Sequence, residues 1–405
     1  MGAVHLIRDN RPFRLLWSAR TVSFLGDSLT LVALLLHVEQ TTGRGLAVAL
    51  LLLVGDFAPA LLGPFTGAVA DRFDRRRVMI ACELAQAALV ALIALWLPAL
   101  PLLLALVAVR AVAAQVFQPA SRALVPSLVR GRDLEGANAA IGFGTNGGEA
   151  LGPLAAAALV PLLGVRGVLL VDAASFLVSA LLLTRLPRGR TERGERDGGL
   201  ARETLAGLRH IAGSRLLRAV GLGFFGVVAF NGVDDVALIF LAKDTLGSGD
   251  AAVGLLLAAV GLGLLAGYLL LARPWPKLAT GTLLVAGFTV SSAGNLLTGL
   301  AWAVAAAFAV QLARGLGLAA MDVAVGTLIQ RAVPPELLGR VFGALYGAIG
   351  AAAALSYVAG GALLDLTGAP TVFLVAGAGG LLATACTAWA LRRAQATECA
   401  PATDS

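Results

Sequence analysis

Residues 67–97 read GAVADRFDRRRVMIACELAQAALVALIALWL, a basic stretch that leads into a long apolar segment. The segment Arg77–Leu97 is long enough to cross a bilayer as a helix, since a spanning helix needs roughly 20 apolar residues. Such segments recur along the whole 405-residue chain, which is 58% hydrophobic and only 14% charged. This composition leaves too little polar surface to cover a soluble core. The sequence therefore predicts an all-α membrane protein.

Twelve segments are long and apolar enough to be transmembrane helices. The first six predicted spans are Phe13–Val38, Gly45–Val69, Arg77–Leu97, Leu102–Leu124, Ala137–Leu162 and Gly167–Leu186. The second six are Leu217–Ala242, Ala251–Ala272, Ala279–Leu300, Trp302–Ile329, Val341–Leu364 and Thr371–Leu391.

The longest polar stretch lies between the sixth and seventh spans and divides the chain. It predicts an N-terminal six-helix bundle at residues 1–186, a cytoplasmic linker at 187–215, a C-terminal six-helix bundle at 216–391 and a cytoplasmic tail at 392–405. The apolar residues of 200–212 fall roughly on one helical face. This segment is either an amphipathic helix on the inner membrane surface or a short soluble linker helix.

The two halves resemble each other at a fixed offset of 204 residues. Val32-Ala33-Leu34 recurs as Val236-Ala237-Leu238, and Arg110 of the fourth span maps onto Arg314 of the tenth. An arginine inside a membrane span is rare, so its recurrence at the same offset indicates a true repeat. Six helices in each half keep the two halves parallel, as in transporters built from two related bundles.

Basic residues determine the predicted orientation. If the N-terminus is cytoplasmic, the outer loops hold only three of them, namely Arg44, Arg166 and Lys243. The other loop arginines and lysines then lie inside, which is the distribution that membrane proteins prefer. Both termini are therefore predicted to be cytoplasmic. Because the arginines lie between apolar spans, the net charge of +7 does not indicate a nucleic-acid partner.

The basic stretch quoted above contains the most specific motif of the chain. Gly67 permits a close helix contact, and Asp71 can pair with an arginine or cap a neighbouring helix. The stretch resembles the signature Gly-x-x-x-Asp-Arg-x-Gly-Arg-Arg of the major facilitator superfamily, with Asp74 in place of the usual glycine. The resemblance implies the fold of twelve helices in two bundles. It also implies a cytoplasmic latch, whose residues would be Gly67, Asp71, Arg72, Arg75 and Arg76.

The fifth span carries a glycine stripe that ends in a proline. Its members are Gly144, Gly148, Gly152 and Pro153. Small residues four apart allow close packing of helices, and packing alone is one interpretation. The stripe also resembles the antiporter motif of the superfamily, which would indicate export. Ala155 and Ala156 replace the final glycines of that motif.

Further local runs resemble the macrolide-efflux and enterobactin-exporter branch of drug:proton antiporters. They are Leu25-Gly26-Asp27, Phe117-Gln118-Pro119-Ala120, Val333-Pro334-Pro335-Glu336 and Gly339-Arg340-Val341-Phe342-Gly343. The resemblance covers nearly the whole chain, but it does not specify a substrate. It implies a multi-pass protein of a bacterial cytoplasmic membrane, with the lipid bilayer, a small molecule and protons as partners. A monomer is expected.

Charged residues inside the spans are the candidates for transport and proton coupling, because each costs roughly 2.5–3.5 kcal/mol at mid-bilayer. The deep acids are Asp27, Asp56, Glu83, Glu149, Asp172, Asp234, Asp235 and Asp322, and the deep bases are Arg110 and Arg314. In the superfamily, helices one, four, seven and ten line the cavity. This favours Asp27, Arg110, Asp234, Asp235, Arg314 and Asp322, and it makes Glu83 and Asp172 structural hydrogen-bonding residues. Asp56 and Glu149 remain further candidates.

Helical spacing makes Asp27 the first candidate for the proton site. It shares one face of the first helix with Arg20, Ser23 and Thr30. Burial favours the protonated form of a carboxyl group and a nearby arginine favours the ionised form, so an arginine that moves can drive proton exchange. Asp234 or Asp235 comes next. A permanent structural ion pair is the alternative for each residue.

The predicted function is proton-coupled efflux of an amphiphilic compound such as a drug, an antibiotic or a secreted metabolite, and multidrug resistance is one expected consequence. A metabolite importer or uniporter of the same fold is the alternative. The sequence lacks His-Glu-x-x-His, Gly-x-Ser-x-Gly and any Cys/His cluster, so no enzyme activity, metal site or cofactor is expected.

The orientation can be tested with reporter fusions. Alkaline phosphatase fused after Pro98 should be active, because this loop is predicted to face outwards, and a fusion within residues 190–198 should be inactive. The reverse pattern of activities would show that the charge argument assigns the wrong orientation.

Overall fold

The structure is a computed structural model that describes residues 3–42, 47, 50, 51, 53–55, 62–187, 200–248, 250–272 and 279–398. These residues are almost entirely helical, and none of them lies in a strand. The helices are α1 (Ala3–Asp9), α2 (Arg11–Thr42), α3 (Gly63–Arg72), α4 (Arg75–Trp96), α5 (Leu100–Leu128), α6 (Leu134–Thr184), α7 (Leu200–Gly213), α8 (Arg215–Asn231), α9 (Asp234–Phe240), α10 (Asp250–Leu271), α11 (Thr280–Gly299), α12 (Val304–Ala332), α13 (Leu338–Thr367) and α14 (Ala369–Glu398).

Within the described residues, nine helical segments are long and apolar enough to cross a membrane. They correspond to nine of the twelve predicted spans. Of the other three, the second span lies partly outside the described residues, and the fifth forms the first part of α6. The eighth corresponds to α10, whose apolar part, Leu255–Leu271, is shorter.

The predicted fifth and sixth spans meet within α6. Gly164 breaks the helix there, with φ 67° and ψ 174°. Glycine adopts this left-handed region without the steric penalty that a Cβ atom brings. The connection between the two spans is therefore a sharp break at one residue, close to the predicted boundary.

The start of α4 explains the one visible departure from the signature motif. Asp74 is the N-cap of α4, and its Oδ1 accepts a hydrogen bond from the backbone N–H of Arg77 at 2.8 Å. An aspartate in this position satisfies one of the free N–H groups of the first helical turn. The substitution thus supplies a helix cap where a glycine would supply none.

The chain divides into two compact units. The first contains Met1–Gly207 and Val333–Gly347, and the second contains Leu208–Ala332 and Ala348–Ser405. Residues 333–347 therefore belong with the N-terminal half, whereas the domain boundaries drawn from the sequence place them in the C-terminal bundle. Hydrogen bonds to Asp71, described below, account for this difference.

Each unit has its own apolar core. In the first unit, Leu29, Val90, Leu103 and Phe176 pack together from α2, α4, α5 and α6. In the second, the core includes the following residues: Leu238, Leu256, Ala307, Val372 and Phe373.

The glycine stripe of α6 packs against α2. A Cβ atom on Gly144 would meet the side chains of Thr21 and Trp17, and one on Gly148 would lie 3.0 Å from the backbone nitrogen of Leu25. Gly152 lies in the same way against Ser28. The stripe thus brings α6 close to the helix that carries Asp27, as expected for small residues at a membrane helix interface.

Candidate functional site

Asp27 and Arg110 form an ion pair in the first unit. Asp27 lies in the middle of α2, and Nη1 of Arg110, on α5, binds its Oδ1. Both side chains are partly accessible, at 24% for Asp27 and 14% for Arg110. Each charge offsets the cost of placing the other in a spanning helix.

This ion pair lies in the wall of a cavity of about 500 Å³ in the first unit. Its wall combines polar and apolar side chains, as small-molecule sites commonly do. The other polar ones are Ser23, Ser28, Thr30, Gln86, Gln115 and Gln118, and the larger apolar ones are Phe24, Leu31, Leu34, Leu51 and Phe117.

A second arginine, Arg20 of α2, is buried beside this cavity. It donates hydrogen bonds to Oγ of Ser121 and, at 3.2 Å, to Oε1 of Gln118. Its guanidinium carbon lies 5.2 Å from the ring centroid of Phe24. The spacing on α5 places Gln118 and Ser121 on the face of Arg110, yet both of them bind Arg20.

Two buried acids accept hydrogen bonds from side chains on the polar face of α2. Oγ of Ser23 donates to Oε2 of Glu83, on α4, at 3.3 Å. Oγ1 of Thr30 donates to Oδ2 of Asp172, on α6, at 2.5 Å. Both acids are fully buried. They are thus hydrogen-bonded close to the candidate proton site.

The second unit contains its own ion pair, between Asp234 of α9 and Arg314 of α12. Here the side chains are only 8% and 5% exposed. Nη1 of Arg314 also donates to Oε1 of Gln311 at 3.0 Å, and Nε2 of Gln311 donates to Oγ1 of Thr298 at 3.1 Å. The pair is therefore the buried end of a hydrogen-bonded chain.

The other candidate acids are less closely connected with these pairs. Asp235 is exposed. Asp322 accepts a hydrogen bond from the hydroxyl of Tyr268 at 3.0 Å. Glu149 belongs to α6, but its side chain lies outside what the structure describes, as does the whole of Asp56.

Asp71 makes the most extensive contacts of the signature motif. Its Oδ1 accepts from the backbone N–H of Gly339 at 3.0 Å and its Oδ2 from that of Arg340 at 2.9 Å. These N–H groups belong to the first turn of α13, where the helix dipole favours a negative charge. Burial raises the pKa of Asp71, and the opposite charge of Arg75 together with the two N–H donors limits that rise.

The rest of the motif supports this contact. A Cβ atom on Gly67 would lie 2.8 Å from Cα of Arg340, so a glycine is needed there. Arg75 donates to the carbonyl oxygens of Ala123, at 2.9 Å, and of Pro335. Arg76 binds the carbonyl oxygen of Leu183, at the end of α6, at 3.0 Å. The fifth motif residue, Arg72, is exposed.

Comparison with known proteins decides the family. The sequence profile of the Major Facilitator Superfamily matches residues 16–309 and 234–401. This chain belongs to the major facilitator superfamily. It is an integral membrane transporter, not an enzyme, and its fold is the twelve-helix major facilitator fold of two six-helix bundles.

Two relatives show how far the sequence similarity extends. The uncharacterized MFS-type transporter YfiS of Bacillus subtilis strain 168 is 28% identical over 397 residues, which are 92% of this chain and 91% of that protein. Macrolide efflux protein A of Streptococcus pyogenes is 29% identical over 76 residues, or 19% of each chain. The resemblance to this superfamily, with its macrolide-efflux members, is thereby confirmed.

Two solved structures have the same fold. The human organic anion transporter MFSD10 (TETRAN) superposes with a TM-score of 0.77 at 21% identity, over 93% of this chain and 99% of that one. The Fucose:proton symporter FucP of E. coli has a TM-score of 0.73 at 16% identity, over 95% and 98% of the two chains. At these identities the structures show the fold alone.

This transporter shows two contacts that the sequence did not indicate. Arg20 appeared only as a member of the polar face of α2, although Phe24, one helical turn later, could have suggested a buried cation. The partners of Asp71 were also missed. Pro334 and Pro335, a few residues before Gly339 and Arg340, mark a helix start, which is the kind of site that an aspartate caps.

The buried ion pair of the second unit leads to a stability prediction. Asp234→Asn removes the negative charge and leaves Arg314 buried without it, which should lower the free energy of unfolding by about 3–5 kcal/mol. The neighbouring Asp235→Asn, at an exposed position, should have little effect. Thermal unfolding of the purified variants in detergent measures both, and equal effects would contradict the importance of the pair.

The contacts of Asp71 predict a transport defect without loss of insertion. Asp71→Asn keeps the size of the side chain but replaces one acceptor oxygen by a donor that faces an N–H group. Membrane levels should stay near normal while transport falls sharply. Normal transport by this variant would show that the contact with the start of α13 is not needed.

Proposed function

We propose that this major facilitator is a proton-coupled exporter of amphiphilic small molecules, such as drugs, antibiotics or secreted metabolites that include siderophores. The observation that carries the proposal is the Asp27–Arg110 pair in the wall of a cavity. An acid held by an arginine stays ionised, and it takes up a proton more easily when the arginine moves away. Proton uptake and release can therefore be linked to changes in the cavity.

The cavity of the first unit has the composition expected for an amphiphilic ligand. Phe24, Leu31 and Phe117 offer apolar surface, while Gln86 and Gln115 offer amide groups. A site of this kind binds apolar bodies by burial and orients polar groups by a few hydrogen bonds.

Export is favoured over import by two observations. The stripe of Gly144, Gly148 and Gly152, which resembles the antiporter motif, packs along the helix that carries Asp27. The partial relative from Streptococcus pyogenes is named for macrolide efflux. An importer is the second candidate, since FucP, which shares the fold, is named a Fucose:proton symporter.

The remaining parts of the proposal concern the setting of the transporter. We place it in a bacterial cytoplasmic membrane as a monomer, and the loop arginines support the orientation with both termini inside. The motif around Asp71 acts as the cytoplasmic latch of the transport cycle. The partners are then the small-molecule substrate, protons and the surrounding lipid.

Asp27→Asn tests the coupling. The amide imitates the protonated acid in shape but cannot titrate, so proton-driven export should be abolished while exchange without a gradient partly survives. The measurement uses purified protein in liposomes, with ethidium and erythromycin as probes, under an imposed pH gradient and in counterflow without one. Uphill export at the wild-type rate would show that Asp27 is not the coupling residue.

Two controls complete this experiment. Asp244→Asn removes an exposed carboxyl group at the end of the seventh span and should export normally. In cells, an uncoupler should raise probe accumulation only when the gene is expressed. Equal accumulation with and without the gene would contradict the proposed export.

A further inference from the structure

Glu83 is buried next to the cavity whose wall includes Asp27. It lies on α4 with no exposed surface, and its Oε2 accepts a hydrogen bond from Oγ of Ser23 at 3.3 Å. Ser23 itself lines the cavity, one helical turn from Asp27 on the same face of α2. Gln86, one turn after Glu83 on α4, also lines it. Two side chains thus link Glu83 to the cavity.

Two acceptor atoms at this point lack a well-formed hydrogen bond within the described part of the chain. They are Oε1 of Glu83 and Oε1 of Gln86, and both atoms are shielded from solvent. The hydroxyl group of Ser179 is buried next to Glu83 and also lacks such a bond. A buried polar atom without a hydrogen bond costs about 1–3 kcal/mol. A proton on Oε1 of Glu83 would turn one of these acceptors into a donor. A protonated Glu83 therefore fits this arrangement, because its proton could be donated to one of the neighbouring oxygen atoms.

The charges around Glu83 also favour its protonated form. Asp27 of α2 and Asp172 of α6 are the neighbouring acids, and Arg110 of α5 is paired with Asp27. Arg20 is bonded to the uncharged Gln118 and Ser121. No ion pair joins Glu83 to a cation within the described part of the chain.

An ionised carboxylate in such a position would lose its hydration without a compensating charge. A buried group in this situation takes up a proton instead of staying charged. Asp172 differs from Glu83, because the positive charge of Arg110 acts on it, whereas the charged groups that act on Glu83 are the acids Asp27 and Asp172. Glu83 is therefore the acid with the stronger reason to be neutral.

We propose that Glu83 carries a proton and is a second proton-transferring carboxyl group of the transport cycle, joined to Asp27 through Ser23. The inference rests on the proposed proton coupling. When Arg110 releases Asp27, the Ser23 hydroxyl turns from Glu83 towards Asp27 and the Glu83 carboxyl group turns its proton towards Oγ of Ser23. Glu83 then gives this proton to Oγ, and the hydroxyl proton of Ser23 passes to Asp27. Asp27 becomes neutral and Glu83 becomes a carboxylate, which later regains a proton from the cavity. The transfer leaves the summed charge of the two acids unchanged.

Infrared spectroscopy tests the bound proton without any transport substrate. A protonated carboxyl group has a C=O band apart from those of carboxylates and amides. In lipid at neutral pH, Glu83→Gln should remove such a band. Ser23→Ala should shift the band, since it removes the hydrogen-bond partner but keeps the acid. The control Glu336→Gln, at an exposed position, should leave it unchanged.

The transfer step is tested by transport in liposomes with ethidium. Glu83→Gln should slow proton-driven export by at least about tenfold, as for the loss of a proton-transferring group, while counterflow without a gradient continues. Export by the Glu83→Gln variant at the wild-type rate would overturn the transfer step. A C=O band that persists in this variant would overturn the bound proton. A band lost on adding sodium chloride, but not choline chloride, would mean that Na⁺ competes for the site and would also overturn it.

The infrared and transport measurements distinguish a failure of this inference from a failure of the proposed function. If the wild-type protein transports no probe against a gradient, the proposed export fails, yet the infrared band still reports whether Glu83 is protonated. If the wild type exports and Asp27→Asn does not, a normal rate for Glu83→Gln overturns only the second site. Survival of the counterflow shows that the variant is folded.

Discussion

Bilayer hydrocarbon offers no water to solvate a charge, so each charge on a spanning helix must be compensated inside the protein. Both units meet this constraint with an aspartate–arginine pair, Asp27 with Arg110 and Asp234 with Arg314. The two arginines occupy equivalent positions of the repeat, 204 residues apart. Each pair joins the first and fourth spans of its unit, and thereby fixes how these helices are rotated towards each other.

The repeat is not exact around these pairs. The equivalent of Asp27 is Asn231, an amide bound to Ser292, and the acid of the second unit lies three residues later. The equivalent of Glu83 is Gly287, where a Cβ atom would lie 2.7 Å from the backbone nitrogen of Met321. Close helix packing thus fills the place that holds a buried acid in the first unit. Additional titratable groups are therefore concentrated beside Asp27.

Hydropathy was enough to predict most of the helices, because spanning helices depend on local composition. The repeated arginines and the signature loop could be recognised from residue identity and spacing alone. The partners of the acids were harder to predict. Asp234 and Asp235 are neighbours about 100° apart on a helix, and their spacing alone does not show which one faces Arg314. Asp71 binds N–H groups 268 and 269 residues away, and no local pattern specifies such a contact. Asp322 lies eight residues from Arg314, roughly 80° around the helix, and contacts Tyr268 of α10 instead.

The two ion pairs differ in their access to water, and this difference separates their roles. Arg314 and Asp234 are almost completely buried, and Gln311 and Thr298 extend their hydrogen bonds into the core. Separating such a pair leaves a charge without solvation, so it holds the second unit together. Asp27 and Arg110 border a cavity and keep part of their surface accessible. Water or a ligand can replace part of their interaction, which lowers the cost of separating them. The first pair is thus the one whose surroundings fit the proposed proton exchange, while the second keeps its partners fixed.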